Sequence, residues 1–204
     1  MHPNPIYHTG TDAQNLAFAR DRAFGVLTVN GADRPLLAHV PFLLSGDGKT
    51  ADLHLMRSNP VARAAKQPVS AVLAVSGGDG YVSPDWYGIE NQVPTWNYVA
   101  VHLTGRLEVL QEDRLRAVLD RQSAEYEQRL RPKTAWTADK MESDAMGRLM
   151  RMIVPCRMHV TGVDGTWKLG QNKPEAARMG AAAGVDEARI GAETAALAAL
   201  MRRG

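Results

Sequence analysis

NYVAVHLTGRLEVL, Asn97 to Leu110, is the stretch on which the fold turns. Val99, Val101, Leu103, Leu107 and Val109 share one side of it, while Tyr98, Ala100, His102, Thr104 and Arg106 share the other. A period of two sustained this long describes a strand with one face in a core. Other runs repeat the signal. FGVLTV (Phe24 to Val29), DLHLMR ending at Arg57, and VSAVLAVS (Val69 to Ser76) all read as strands. Pro35 to Leu44 (PLLAHVPFLL) reads as one strand with both faces apolar, lying between two packed layers.

Helices interrupt these strands without setting up a βαβ rhythm. Thr11 and Gln14 make a capping-box pattern ahead of NLAFARDRAFG, with Gly25 near the helix end. Asn59 and Pro60 mark the cap and first position of a short helix, VARAAK. Residues 112–131 form an amphipathic helix with Leu115, Val118, Leu119, Tyr126 and Leu130 on its stripe. Residues 138–152 read as a further helix. IVPCRMHVTGVDGTWKLGQN is expected to run as a strand, an Asp-Gly turn at 164–165 and a shorter returning strand. From Pro174 the composition shifts to Ala, Gly, Glu and Arg, a helical tail. The pattern predicts a mainly β chain with peripheral α elements, an antiparallel barrel. It divides into a barrel domain over 1–173 and a C-terminal helical tail over 174–204.

Bulk numbers narrow the function classes. The chain has 204 residues, 24 Lys and Arg against 22 Asp and Glu, and 45% hydrophobic residues. A formal charge of +2 gives no basic footprint for nucleic acid. The clustered cations Arg129, Arg131 and Lys133 are interleaved with acids and read as solvated surface. The single cysteine, Cys156, sits in an apolar alternating run and reads as a buried small hydrophobe. There is no secretory h-region and no membrane-length apolar run, so a soluble, cytoplasmic protein is expected. His39, His54, His102 and His159 fall in predicted strands, but no His-x-His or HExxH spacing exists, and no metal site is expected.

Three stretches could carry chemistry. In HLMRSNP (His54 to Pro60) a strand delivers Arg57 beside Ser58 and Asn59 at a helix mouth, where N–H groups and a guanidinium favour an anion. A capped helix with a surface arginine explains the same residues. In KLGQNKP (Lys168 to Pro174), Gln171 and Asn172 stand between two lysines, a pattern equally suited to a polar loop. Residues 81–101 hold two of the four tryptophans and three of the five tyrosines, with Pro84 and Pro94 breaking regular pairing. This is a rigid excursion between strands: a ligand wall, a dimer surface, or a loop that caps the barrel.

Read in order, NPIY, AHVPFLL, HLMRSNP, YVSPDWY, VPTWNYVAVHLTGRLEVL and WKLGQNK resemble the PaiB-type FMN-binding negative transcriptional regulator family. That family is similar to the pyridoxamine-phosphate-oxidase-like split barrel. The match covers roughly the first 175 residues. The family has serine where this chain has Gly170, and usually a glycine-initiated His segment near HLMRSNP. The resemblance implies an antiparallel split β-barrel of FMN-binding type and a homodimer with flavin mononucleotide in the groove between subunits. Carried over, Arg57, Ser58 and Asn59 hold the phosphate. His39, Val40 and Pro41 lie beside the isoalloxazine through strand backbone. Trp96, Asn97 and Tyr98 close the groove, and Gln171, Asn172 and Lys173 supply polar contacts.

The resemblance leaves the function with three readings. As a flavin-linked regulator the chain would act on DNA or through a regulatory partner, yet no helix-turn-helix with a basic recognition helix is present. As an FMN-dependent oxidoreductase it would use a nicotinamide donor or a small-molecule substrate, with His39, Tyr98 or His102 as candidate proton donors. As a carrier it would hold flavin or haem without turnover.

Overall fold

The structure, a computed structural model, describes residues 1–203. Its strands are β1 (Phe24–Asn30), β2 (Pro35–Pro41), β3 (Leu43–Leu44), β4 (Thr50–Met56), β5 (Val69–Val82), β6 (Thr95–Val109), β7 (Ile153–Lys168) and β8 (Gly191–Ala192). The helices are α1 (Asp12–Arg22), α2 (Pro60–Ala64), α3 (Leu115–Gln128), α4 (Ser143–Met150), α5 (Glu175–Ala188) and α6 (Thr194–Arg203). The hydrogen-bonded strand order is β2-β1-β5-β6-β7-β4-β3, with β8 added to β5. The described residues divide into two compact units: 1–18, 75–102 and 164–203 in one, 19–74 and 103–163 in the other.

In the second of these, β1 pairs antiparallel with β2 from Phe24↔Pro41 to Asn30↔Pro35, and β4 pairs with β7 from Thr50↔His159 to Met56↔Ile153. Leu27, Val29, Leu53, Leu73, Leu103, Leu107, Cys156 and Met158 fill its core. Helix α3 covers β4 with Leu115, Val118 and Gln122 buried. The helix expected over 112–131 shortens at both ends. Glu112–Arg114 is a 3₁₀ turn, and Leu130 lies past the helix and is exposed.

Strand β2 departs from the two-layer expectation. It breaks at Phe42, and only the face carrying Ala38, Val40, Phe42 and Leu44 is buried. On the other face Leu37 is 59% exposed and Phe24, on the neighbouring strand, 53%. The periodicity reported two apolar faces correctly, but a single chain supplies cover for one. Helix α1 is capped as expected, with Gln14 N–H donating to Thr11 Oγ1 at 3.2 Å. It stops at Ala23, whose φ of 50° breaks the helix, and Gly25 belongs to β1.

The first unit holds two further corrections. Strand β5 runs on through Ser76-Gly-Gly-Asp-Gly to Val82, because Asp79 and Gly80 pair with Ala192 and Gly191 more than a hundred residues away. The Asp164-Gly165 turn does not form, and β7 continues straight through it. A side chain on Gly165 would come within 2.1 Å of Asn15 Oδ1, so this glycine serves the close approach of α1.

The C-terminal helices are built around the aromatic excursion. Tyr87 and Val82 are buried with Ala177, Ala181, Val185, Leu197 and Met201, and Trp86 packs against this cluster. A side chain on Gly184 would come within 2.2 Å of Trp86 Cδ2, and one on Gly180 within 2.4 Å of Trp86 O. Gly180 and Gly184 thus make room for the carbonyl and the indole of Trp86.

Candidate functional site

The twelve candidate residues fall in two sets, one in each unit. His39, Val40, Pro41, Arg57, Ser58 and Asn59 form the first. Strand β2 contacts both β4 and α2, so the strand segment and the turn after β4 are neighbours. Val40 is buried and pairs with Gly25 in the ladder, whereas the His39 ring is exposed and stacks on Phe24 at 6.4 Å.

The turn at 57–59 forms as its sequence predicts. Asn59 Oδ1 accepts from Val61 N–H at 2.8 Å, and Pro60 opens α2. With five residues, α2 has little aligned dipole to offer, so an anion here rests on Arg57 and Ser58. Arg57 is half exposed. It donates from Nε to Arg151 O (3.2 Å) and from Nη2 to Ile153 O (3.3 Å), and its Nη1 lies 2.9 Å from Glu112 Oε1. The Glu112 side chain is 75% exposed. A pair this wet contributes at most about 1 kcal/mol, so a phosphate can replace the carboxylate at low cost. The two carbonyl bonds meanwhile hold the guanidinium in place. The donor set fits a flavin phosphate.

The second set is more mixed. Trp96 is 46% exposed and meets Tyr81 edge-on at 6.3 Å, and Tyr81 meets Trp86 at 6.2 Å. The excursion is thus divided: Trp86 and Tyr87 serve the core, and Trp96 remains open. Tyr98 is half-buried, but Asn97 is turned inward, its Nδ2 donating to Met201 Sδ at 3.6 Å. Gln171 is committed to its own loop. Its Oε1 accepts from Leu169 N–H, while Nε2 donates to Trp167 O (2.7 Å) and Ile6 O (3.0 Å). Asn172 is exposed, and Lys173 Nζ donates to Gln92 Oε1.

Histidines behave as wall residues. His54 Nδ1 meets Gln122 Oε1 at 3.0 Å, and His159 Nε2 meets Glu108 Oε1 at 2.8 Å. Burial pushes the His102 imidazole below its usual pKa, aided by the N-terminal charge and opposed by Asp164. No group of three or more potential metal ligands occurs among the described residues. Burial also pushes the Cys156 thiol up to about 12, which leaves it inert. No helix among the described residues is long and apolar enough to cross a membrane.

One feature the periodicity did not reveal is a charge cluster under α3. Asp52, 7% exposed, accepts from Arg157 Nε (2.7 Å) and Nη2 (2.9 Å) and from Arg121 Nη2 (2.5 Å). Gln122 donates to Asp52 O at 3.1 Å. The cluster joins three elements, β4, α3 and β7, and no local spacing relates them. A cleft of about 640 Å³ beside α3 is lined by Glu127, Arg131, Lys133 and Trp136 among others, and by none of the twelve candidates.

The family described as "Putative FMN-binding domain" matches residues 1–162. The chain belongs to that family. It is 29% identical over 174 residues to "Protease synthase and sporulation protein PAI 2" of Bacillus subtilis, covering 84% of this chain and 83% of that one. Among solved structures, it is similar to a conserved hypothetical protein from Mycobacterium tuberculosis (TM-score 0.57, 14% identity, 85% of this chain and 94% of that one). It is also similar to the FAD and heme binding protein of Mycobacterium smegmatis (TM-score 0.55, 15% identity, 78% and 71%). The expected fold class holds: an antiparallel split-barrel sheet with peripheral helices.

Proposed function

We propose that this protein binds FMN and acts as a flavin-linked regulatory protein, working as a homodimer with the flavin between two copies. The family match over residues 1–162 carries the reading, since it spans β2, β4 and the turn at 57–59. In this reading Arg57 and Ser58 hold the phosphate, and the backbone of His39, Val40 and Pro41 borders the ring system. Trp96 and Tyr98 close over it, and Asn172 and Lys173 offer polar contacts. Asn59 fixes the turn rather than touching the ligand, and the buried Asn97 and loop-bound Gln171 position their neighbours. Bound FMN would supply electron or hydride transfer, and the chain's part is to bind it and exclude water.

The open face of β1 and β2, with Phe24 and Leu37 exposed, supports the dimer, because an apolar sheet face needs cover. The Bacillus relative's name, a protein of protease synthesis and sporulation, favours the regulatory half of the reading. That action runs through a regulatory protein partner or through DNA, with a formal charge of +2 favouring the partner. Flavin and heme binding in a fold neighbour favours a second reading, an FMN-dependent oxidoreductase or a flavin or haem carrier.

An absorbance spectrum of the purified chain, followed by titration with FMN, is the deciding measurement. Saturable binding with one flavin per chain is expected, and the absence of any binding refutes the reading. Oxidation of NAD(P)H by the loaded protein would favour the enzyme. Salt-sensitive, sequence-specific retention of promoter DNA would favour direct regulation. Light scattering should give twice the chain mass.

A further inference from the structure

The cleft beside α3 has two adjoining parts, both within one compact unit. The larger, about 640 Å³, falls within the roughly 300–1,000 Å³ of small-molecule sites. A recess of about 200 Å³ adjoins it, and Arg116, Asp120, Ser123 and Trp136 line both. Beyond that junction the recess is apolar. Leu119 of α3 faces Met141, Met146, Leu149 and Met150, in and just before α4.

Composition and packing explain why the recess stays open. Four of the chain's nine methionines fall within residues 141–152. An unbranched thioether adapts to varied shapes and specifies a fixed interface poorly. Helix α4 accordingly has no fully buried residue, and Leu149 is 53% exposed.

The polar groups at the junction favour one sign of charge. Asp120 accepts from Arg116 Nε with both oxygens, at 2.9 and 2.8 Å, so its carboxylate is engaged. Glu127, in the larger cleft, is engaged as well, accepting from Lys133 Nζ and from Trp136 N–H at 2.8 Å. Arg116 Nη1 and Nη2 and Ser123 Oγ hold no hydrogen bond among the described residues. Arg131 and Asp139 are also unpaired there, but both line only the larger cleft, where their charges offset. Spare donors therefore stand where the apolar recess begins, with no spare acid beside them. A guanidinium edge of this kind takes a carboxylate through two parallel bonds.

We propose that this cleft binds a small apolar monocarboxylic acid. Its carboxylate lies on Arg116 Nη1 and Nη2 and on Ser123 Oγ, and its aliphatic or aromatic body fills the recess lined by Met146, Leu149 and Met150. Trp136, held by its backbone bond to Glu127, walls the junction. The site shares no residue with the flavin groove proposed above.

The probe is phenylbutyrate, with phenylbutanol and phenylbutylamine as its neutral and cationic counterparts. Each is titrated into the full chain by calorimetry and by methyl NMR of the methionines. Phenylbutyrate should bind saturably, at least about tenfold more tightly than either counterpart. The Met146 and Met150 signals should move, and that of Met56, outside the cleft, should not. Arg116→Gln should abolish the preference for the acid and leave the alcohol's affinity unchanged. Ser123→Phe, which fills the junction, should weaken all three probes, with unchanged circular dichroism establishing folding. Should that variant misfold, the exposed Arg116→Gln change still decides the matter. Arg129→Ala, on the same stretch of chain but outside the lining, should bind as the native protein does. Absence of binding, equal affinity for acid and amine, unmoved Met146 and Met150 signals, or a preference retained in Arg116→Gln would overturn the proposal. So would displacement of phenylbutyrate by FMN, since it would put the probe in the flavin groove. Failure of FMN to bind the native chain would refute the flavin reading and leave this result standing.

Discussion

The chain treats charge in opposite ways along one strand. Asp52, within β4, is nearly closed from water and satisfied by two arginines. Arg57, one residue beyond the same strand, is half in solvent and tied to a still wetter glutamate. Both are ion pairs by distance, yet only the first is built into the fold. Removing a partner from a closed pair strands a charge, whereas an exposed pair exchanges one anion for another. A site that must accept and release a ligand needs the second kind.

The largest effect should come from Asp52→Ala. Arg157 and Arg121 keep partial solvent contact, so a loss of roughly 3 kcal/mol, the low end for a broken buried pair, is expected in urea unfolding. A loss below about 1 kcal/mol would erase the contrast drawn between the two ends. Arg57→Ala should change stability by less than about 1 kcal/mol but weaken FMN at least about tenfold. Arg129→Ala, which breaks a comparable exposed pair with Glu125, should leave FMN affinity unchanged. Equal FMN affinity in the two variants would remove Arg57 from the site.

A pH measurement sharpens the comparison further along α3. The Tyr126 hydroxyl donates to Phe42 O at 3.0 Å and Ala23 O at 3.2 Å, and burial raises its pKa above the usual 10.0. The folded state thus keeps a proton that the unfolded state releases. Its contribution to stability is full below pH 10, falls as pH rises from there through the folded pKa, and is lost above it. Tyr126→Phe should lower stability by about 1 kcal/mol at neutral pH and flatten that alkaline decline. The smallest signal is expected at Cys156, opposite Leu53 of β4. A thiol reagent should leave it unlabelled at pH 8 until the chain unfolds. Rapid labelling of the native chain would mean that the interior beside Asp52 is open.

Much of this was legible in the residues. The alternation of Asn97–Leu110 became β6, and Ser58-Asn59-Pro60 became the capped start of α2 at the expected positions. Both signals are local: a period of two, and a side chain that reaches a backbone two residues on. The misreadings share one cause. Gly77 to Gly80 and Asp164-Gly165 carry turn composition but stay in strands because distant segments, β8 and Asn15, lie against them. The candidate site divided in the same way. Arg57 and Ser58 were readable from a strand end, but nothing near Asn97 or Gln171 announces Met201 or Ile6 as partners.

By itself the sequence determined where most strands and helices begin, the resemblance to an FMN-binding family, and the turn that carries Arg57. Periodicity, capping and ordered motifs are properties of neighbouring residues, and the chain carries them unfolded. Only the tertiary structure decided that Trp86 and Tyr87 belong to a core while Trp96 stays open, and that Asp52 is enclosed between two arginines. Burial and charge compensation depend on what arrives from elsewhere in the chain, and that is settled when the elements pack.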